Sequence, residues 1–256
     1  MSANRWDENL TSSSPEHADG PPKGDASRSI VTLDGPAGVG KSTTARAVAR
    51  RLGWRYLDSG ALYRAVAFAL LEEGIPPARW PDLDAEALAS LDLEVHPAEG
   101  TLRILRGDDV LESELRTPRV TAAVSEVARL PTVRRWLLDT QRAAGSHGHL
   151  VADGRDMGTV VFPDAGTKIF LTADPGERAR RRLGDHGVEE PSRDQLAEER
   201  ARLEARDRLD MDREVSPLVP APDAVHLDTT RLDFETQVAR VVELARENSG
   251  EAGDQG

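Results

Sequence analysis

The chain has no cysteine, only 4% aromatic residues and only three lysines, Lys23, Lys41 and Lys168, which leaves arginine as the other 30 of its 33 basic residues. Without cysteine there is no disulfide, no thiolate zinc site and no cysteine nucleophile. No apolar run approaches the roughly 18–20 residues that cross a bilayer. The start, MSANRWDENL, has neither the basic region nor the apolar stretch of a secretory signal. These absences predict a soluble, cytoplasmic protein with no membrane partner. Positive charge is also short: 45 acidic residues against 33 basic give a net charge of -12, and a field of that sign repels a phosphate backbone, so no nucleic-acid partner is expected. What remains is 256 residues, 38% hydrophobic, long enough for one large domain or two small ones.

Residues 1–28 are rich in Ser, Pro, Gly, Asp and Glu and read as a disordered tail, as do residues 248–256. Between them, residues 29–247 alternate short apolar runs with helical patterns, as parallel strands joined by helical crossovers do. Strands are predicted at Ser29–Asp34, Trp54–Leu57, Leu150–Asp153, Lys168–Thr172 and Ala224–Asp228. Helices are predicted over Lys41–Leu52, Ala61–Glu73, Thr117–Arg129 and Thr132–Ala144, and from near Asp174-Pro175 and Asp233. The reading is an α/β fold, a five-stranded parallel sheet with helices on both faces. One stretch departs from it: Leu91–His96 and Thr101–Arg106 alternate apolar and polar positions across Pro97–Gly100, as an antiparallel hairpin inserted on the main sheet does.

The strongest local signal is Gly35-Pro36-Ala37-Gly38-Val39-Gly40-Lys41-Ser42, followed by Thr43, which fits the G-x-x-x-x-G-K-[ST] phosphate loop between a strand and a helix. Glycines let backbone N–H groups converge on phosphates, the helix start adds positive potential, Lys41 reaches the terminal phosphates and the Ser42 hydroxyl suits Mg2+. The loop alone separates neither switch, ATPase nor kinase, but the chain has no Asn-Lys-x-Asp signature of a guanine switch and no apolar run ending in Asp-Glu. Ten arginines fall between Arg178 and Arg213. Most read as solvated helix pairs with the interleaved glutamates, while Arg178 and Arg182, one turn apart, suit a mobile lid over a transferring phosphoryl group. The six histidines show no metal-ligand spacing.

Taken together, LDGPAGVGKST (33–43), LDSGALYR (57–64), ADGRDMGTVVFPDA (152–165), KIFLTA (168–173) and RDRLDMDREVSPL (206–218) resemble the bacterial cytidylate kinase family, in that order along the chain. The resemblance implies transfer of the γ-phosphoryl of ATP to CMP or dCMP, with Mg2+, in a P-loop nucleoside monophosphate kinase-like fold that carries a small antiparallel insert and an arginine-rich lid. On that likeness the acceptor side occupies about residues 75–145 and the lid about 176–213, and a monomer is expected. It further implies that Ser59, Arg64, Arg155 and Arg213 surround the acceptor phosphate, that Ser125, Arg134 and Asp156 read the base, and that Arg206 and Asp210 contact the ribose. The residues expected to act on the transferring phosphoryl are Lys41, Arg155, Arg213, Arg178 and Arg182. Asp34 and Asp153, at strand ends, suit either metal-bound water or a structural role. Met211-Asp212 departs from the usual small or polar residues of the lid motif. Rival readings are a P-loop kinase for another small acceptor, a nucleotide switch, and an RNA-associated factor.

Overall fold

The computed structural model describes residues 25–98 and 100–250; the tail expectations for 1–24 and 251–256 lie outside them. A first turn of helix, α1 (Asp25–Arg28), leads into β1 (Ile30–Asp34). The chain continues through α2 (Lys41–Leu52), β2 (Arg55–Asp58) and α3 (Ser59–Glu72) to a short helix, α4 (Ala85–Ala89). Three antiparallel strands follow, β3 (Leu93–Ala98), β4 (Thr101–Arg106) and β5 (Asp109–Val110), then α5 (Pro118–Val127), α6 (Pro131–Gly145) and β6 (Leu150–Asp153). The last part holds β7 (Thr167–Thr172), α7 (Pro175–Asp185), α8 (Arg193–Met211), β8 (Val225–Asp228) and α9 (Phe234–Ser249).

The main sheet is parallel throughout, in the order β2-β6-β1-β7-β8. All five residues of β1 and all four of β6 are buried. Strands covered on both faces read as unbroken apolar runs for this reason. Strand order reverses around central β1, so the segments leaving the carboxyl ends of β1, β2 and β6 converge on one crevice.

Alternate residues of each strand serve opposite cores. Ile30, Leu57 and Leu150 join α3, α5 and α6 on one face; Val31, Leu33, Val151 and Ile169 join α2 and α9 on the other. A third, small cluster of Ala37, Ala179 and Leu203 fastens the loop after β1 to α7 and α8. Asp58, Asp84, Thr117, Asp174 and Asp233 cap helices with their side chains, and Ser192 with Gln195 closes a capping box on α8.

Four local differences from the sequence reading have physical causes. Residues 25–28 are helical and 248–249 extend α9, so the N-terminal tail is predicted to end too late and the C-terminal one to begin too early. Pairing in the insert runs on to Ala98↔Thr101, which shortens the connector to two residues, with Gly100 at φ 68°. The Gly100 carbonyl accepts from Tyr56 N at 3.0 Å, so the insert's tip covers the edge of β2. A third strand, β5, completes the insert; at two residues it is too short to leave a periodic signal.

Candidate active site

The loop between β1 and α2 is held open by backbone geometry. Gly40, at φ 88°, caps α2 in the left-handed region, and Gly35, at φ 147°, packs so closely on the Leu171 carbonyl that a Cβ would collide with it. Ala37, Gly38, Gly40, Lys41, Ser42 and Thr43 line a cavity of about 220 Å³. Gly35, Pro36 and Val39 stand behind its wall: the Pro36 carbonyl accepts from Lys41 Nζ at 2.6 Å, and Val39 is buried in the core. Burial, then the nearby Arg155 charge, pulls the Lys41 ammonium well below its ordinary value.

Ser42 Oγ donates to Asp153 Oδ2 at 2.8 Å, and Tyr56 Oη donates to Asp153 Oδ1 at 2.6 Å. Burial and the neighbouring Asp58 push Asp153 up to about 6. Asp34 is turned the other way: its two oxygens accept from Met157 N at 2.9 Å and Gly158 N at 2.8 Å, locking the turn after β6 to β1. Burial pushes Asp34 up to about 7 despite those donors. The Ser42 hydroxyl with the Asp153 carboxylate, beside a phosphate loop, suits a small divalent cation completed by phosphates and water. Among the described residues no group of three or more His, Asp or Glu forms an all-protein metal cage.

The opposite wall gathers Ser59, Arg64, Ser125, Arg134, Arg155, Asp156, Arg206, Asp210 and Arg213, with Arg182 at the rim. Ser59 starts α3, Ser125 lies on α5, Arg134 on α6, Arg155 and Asp156 follow β6, and Arg206 and Asp210 face inward from α8 one turn apart. Apart from Gly35, Pro36 and Val39 behind the loop wall, the residues named from sequence therefore meet at one place, with one exception. Arg178, expected beside Arg182 on an exposed lid, is buried: it donates to the Ala37 carbonyl at 3.0 Å and pairs with Asp207. Successive i, i+4 positions share a helix side, but packing of α7 against α8 and the loop covers only the first.

Two pairs organise the wall. Asp210, 3% exposed, accepts from Arg155 Nε at 2.7 Å and pairs with Arg213. Burial alone would raise it, but Arg155 and Arg213 outweigh that and hold it below the ordinary carboxylate range. Arg134 pairs with Asp156, donates to the Ala128 carbonyl at 3.0 Å and lies 5.3 Å over the Tyr63 ring. Burial opposes the Arg134 charge, yet Asp156 and Tyr63 hold it above its usual value. Arg206, by contrast, lies among cations. Burial, then Arg155 and Arg64, draws it down to about 10, and its Nε is buried without a hydrogen bond; Arg64 is lowered chiefly by burial. A net-acidic protein thus concentrates mutually repelling cations around one cavity, an arrangement stabilised by bound anions.

Several participants escape the sequence reading. Gln141, 1% exposed on α6, accepts from Ser59 Oγ at 3.1 Å and itself donates to the Leu137 carbonyl at 3.1 Å. Arg116 lines the mouth and reaches Asp58 at 3.4 Å. Asp207 holds the loop through the Ala37 amide at 2.8 Å. Motif spacing marks neither Gln141 nor Arg116; Asp207 stands inside R-D-x-x-D-x-x-R, and its position in that motif is the only signal. The expected surface pairs are present on α7 and α8: Arg180 and Arg181 with Glu177, Arg200 with Glu204, and Arg202 with Glu198 and Glu199.

The cytidylate kinase family profile matches residues 31–247. The chain is 45% identical over 222 residues to a cytidylate kinase of Mycobacterium leprae, covering 86% of this chain and 97% of that one. It is 46% identical over 225 residues to a cytidylate kinase of Pelotomaculum thermopropionicum, covering 86% and 96% respectively. It also matches a bifunctional pantoate ligase/cytidylate kinase of Synechococcus elongatus at 45% identity over 226 residues, covering 86% of this chain but spanning only 42% of that longer protein. With the match running through both walls of the cavity, the chain belongs to the cytidylate kinase family.

Proposed function

We propose that the protein transfers the γ-phosphoryl of MgATP to CMP or dCMP, giving ADP and CDP or dCDP. The observation that carries this reading is the cavity in which a phosphate loop faces the buried Arg134–Asp156 pair across underpaired arginines. A phosphate oxygen of the acceptor attacks the γ-phosphorus as the bond to the β–γ bridging oxygen breaks; ADP leaves with that electron pair. The acceptor oxygen is already ionised near neutrality, so no protein base is needed, and catalysis rests on position and charge. Lys41 and the loop amides hold the donor phosphates. Ser59, Arg64, Arg155 and Arg213 take the acceptor phosphate, Asp210 fixing the last two. Ser42, with Asp153 behind it, would hold Mg2+, which supplies charge neutralisation on the donor phosphates.

Base choice falls to Arg134, Asp156 and Ser125. The Asp156 carboxylate accepts from the cytosine amino group, and Arg134 and Ser125 donate to the ring acceptors. Uracil would set a carbonyl against the carboxylate, at a cost of about 1–3 kcal/mol. Arg206 belongs with the phosphates as much as with the ribose, since Arg155 and Arg64 are the cations that depress it. Residues 29–247 act as one kinase domain, about 75–145 on the acceptor side and about 176–213 as the lid, in a cytoplasmic monomer that needs no nucleic-acid or membrane partner. Among the described residues no helix is long and apolar enough to cross a membrane.

The test is ADP release from MgATP with CMP, dCMP, UMP, AMP, GMP and shikimate offered separately, with Lys41→Ala as the blank. Turnover confined to CMP and dCMP, with UMP trailing and the blank lower by at least about a hundredfold, supports the reading. ATP binding without turnover on any acceptor overturns it.

A further inference from the structure

We infer that Asp207 is a positioning residue that fixes the tip of the phosphate loop and ties it to the arginine-bearing helix α8. One carboxylate oxygen of Asp207 accepts from Ala37 N at 2.8 Å, while the other pairs with Arg178, whose guanidinium returns to the Ala37 carbonyl at 3.0 Å. Both polar ends of one stretch of loop backbone are thus clamped by a single buried ion pair; Ala37, Arg178 and Asp207 are 5%, 6% and 4% exposed. The apolar side of the same contact is Ala37 against Ala179 and Leu203. At Gly38 the approach is so close that a Cβ would sit 3.1 Å from the Arg178 carbonyl and 3.4 Å from Leu203 Cδ1.

The consequence is a division of labour within the loop. Ala37 lines the cavity with Gly38, Gly40, Lys41, Ser42 and Thr43, but its amide is committed to Asp207. A carboxylate beside a phosphate site repels the ligand unless its charge is matched, and Arg178 supplies that match. Asp207 is flanked on α8 by Arg206 and Asp210, which line the cavity, so the loop amides and the arginine cluster keep one fixed register. A loop so held needs no reordering when ATP arrives, and that saving appears in ATP affinity rather than in acceptor affinity.

This inference rests on the phosphate-loop reading but not on the acceptor, so calorimetry of MgATP binding without acceptor tests it separately; wild-type binding with no CMP turnover would fault the acceptor assignment alone. Asp207→Asn and Arg178→Gln should each weaken MgATP about tenfold, and the double variant by about tenfold rather than a hundredfold, because the two side chains pair with each other and clamp the backbone of one residue, Ala37. With ATP saturating, KM for CMP should move less than about threefold. Additive losses, equal losses for ATP and CMP, or unchanged ATP affinity would overturn the assignment. Should the buried-charge variants not fold, Leu203→Ala loosens the same contact without stranding a charge. It should weaken MgATP severalfold at constant KM for CMP, and unchanged ATP affinity in that variant would equally refute the latch.

Discussion

Replacing Asp156 by Asn tests base recognition at one atom. In the folded protein Asp156 is 3% exposed and paired with Arg134, which keeps a second acceptor in the Ala128 carbonyl at 3.0 Å and a ring face in Tyr63. The amide oxygen can still accept from Arg134, so the variant loses the charge but not the hydrogen bond. The stability cost should be about 1–3 kcal/mol, below the roughly 3–5 kcal/mol of stripping a buried pair of one partner outright. That corresponds to a fall in Tm of about 2–12 °C for a domain of this size. For the substrates the sign differs. Cytidylate loses a charged acceptor for its amino group, whereas uridylate exchanges a repelling carboxylate for an amide that can donate to O4. A shift of about 1–3 kcal/mol in the difference between them narrows the CMP-to-UMP ratio of kcat/KM by roughly 5- to 150-fold. Initial rates with each acceptor at saturating ATP measure that ratio directly. If both rates fall together and the ratio stays put, the carboxylate does not face the base and the pair is structural.

Two further outcomes follow from the charges around the cavity. Arg206→Gln should reduce kcat by about a hundredfold or more while stabilising the ligand-free protein by on the order of 1–3 kcal/mol, since it removes a charge disfavoured first by burial and then by its cationic neighbours; a urea midpoint below wild type would contradict this. Asp34 carries a pH signature with a definite sign: its folded value, about 7, lies above the ordinary 3.8, so the folded state binds the extra proton between those limits and its contribution to stability is lost as pH rises through them. Measured against Asp34→Asn, wild-type stability should therefore fall by about 2–3 kcal/mol between about pH 5 and about pH 7, and a constant or growing difference would show that the carboxylate is ionised throughout.

The centre of the sheet was legible because β1 and β6 are buried on both faces and read as largely apolar runs between polar turns, and the glycines before and after α2 mark its ends. The 310 turn over Pro77–Asp82, helix α4 and the π-helical turn Met157–Val161 were not legible. Each is a turn or so long, too short for periodicity, and the π-helical turn is imposed by Asp34 gripping two successive amides across the sheet. The same split runs through the site. Lys41 and Ser42 sit in a loop whose spacing carries its chemistry, and Arg155 and Asp156 sit in a stretch that the family resemblance marks. Gln141 and Arg178 act through partners 82 and 141 residues away, and no local spacing encodes contacts of that kind. Arg178 shows how such a contact changes a reading: helical spacing makes it the twin of Arg182, and only the packing of α7 and α8 onto Ala37 shows one guanidinium gripping the loop and the other facing the cavity. Motifs therefore locate the groups that line the cavity, whereas the groups that hold those in register are visible only once the strands have brought distant segments together.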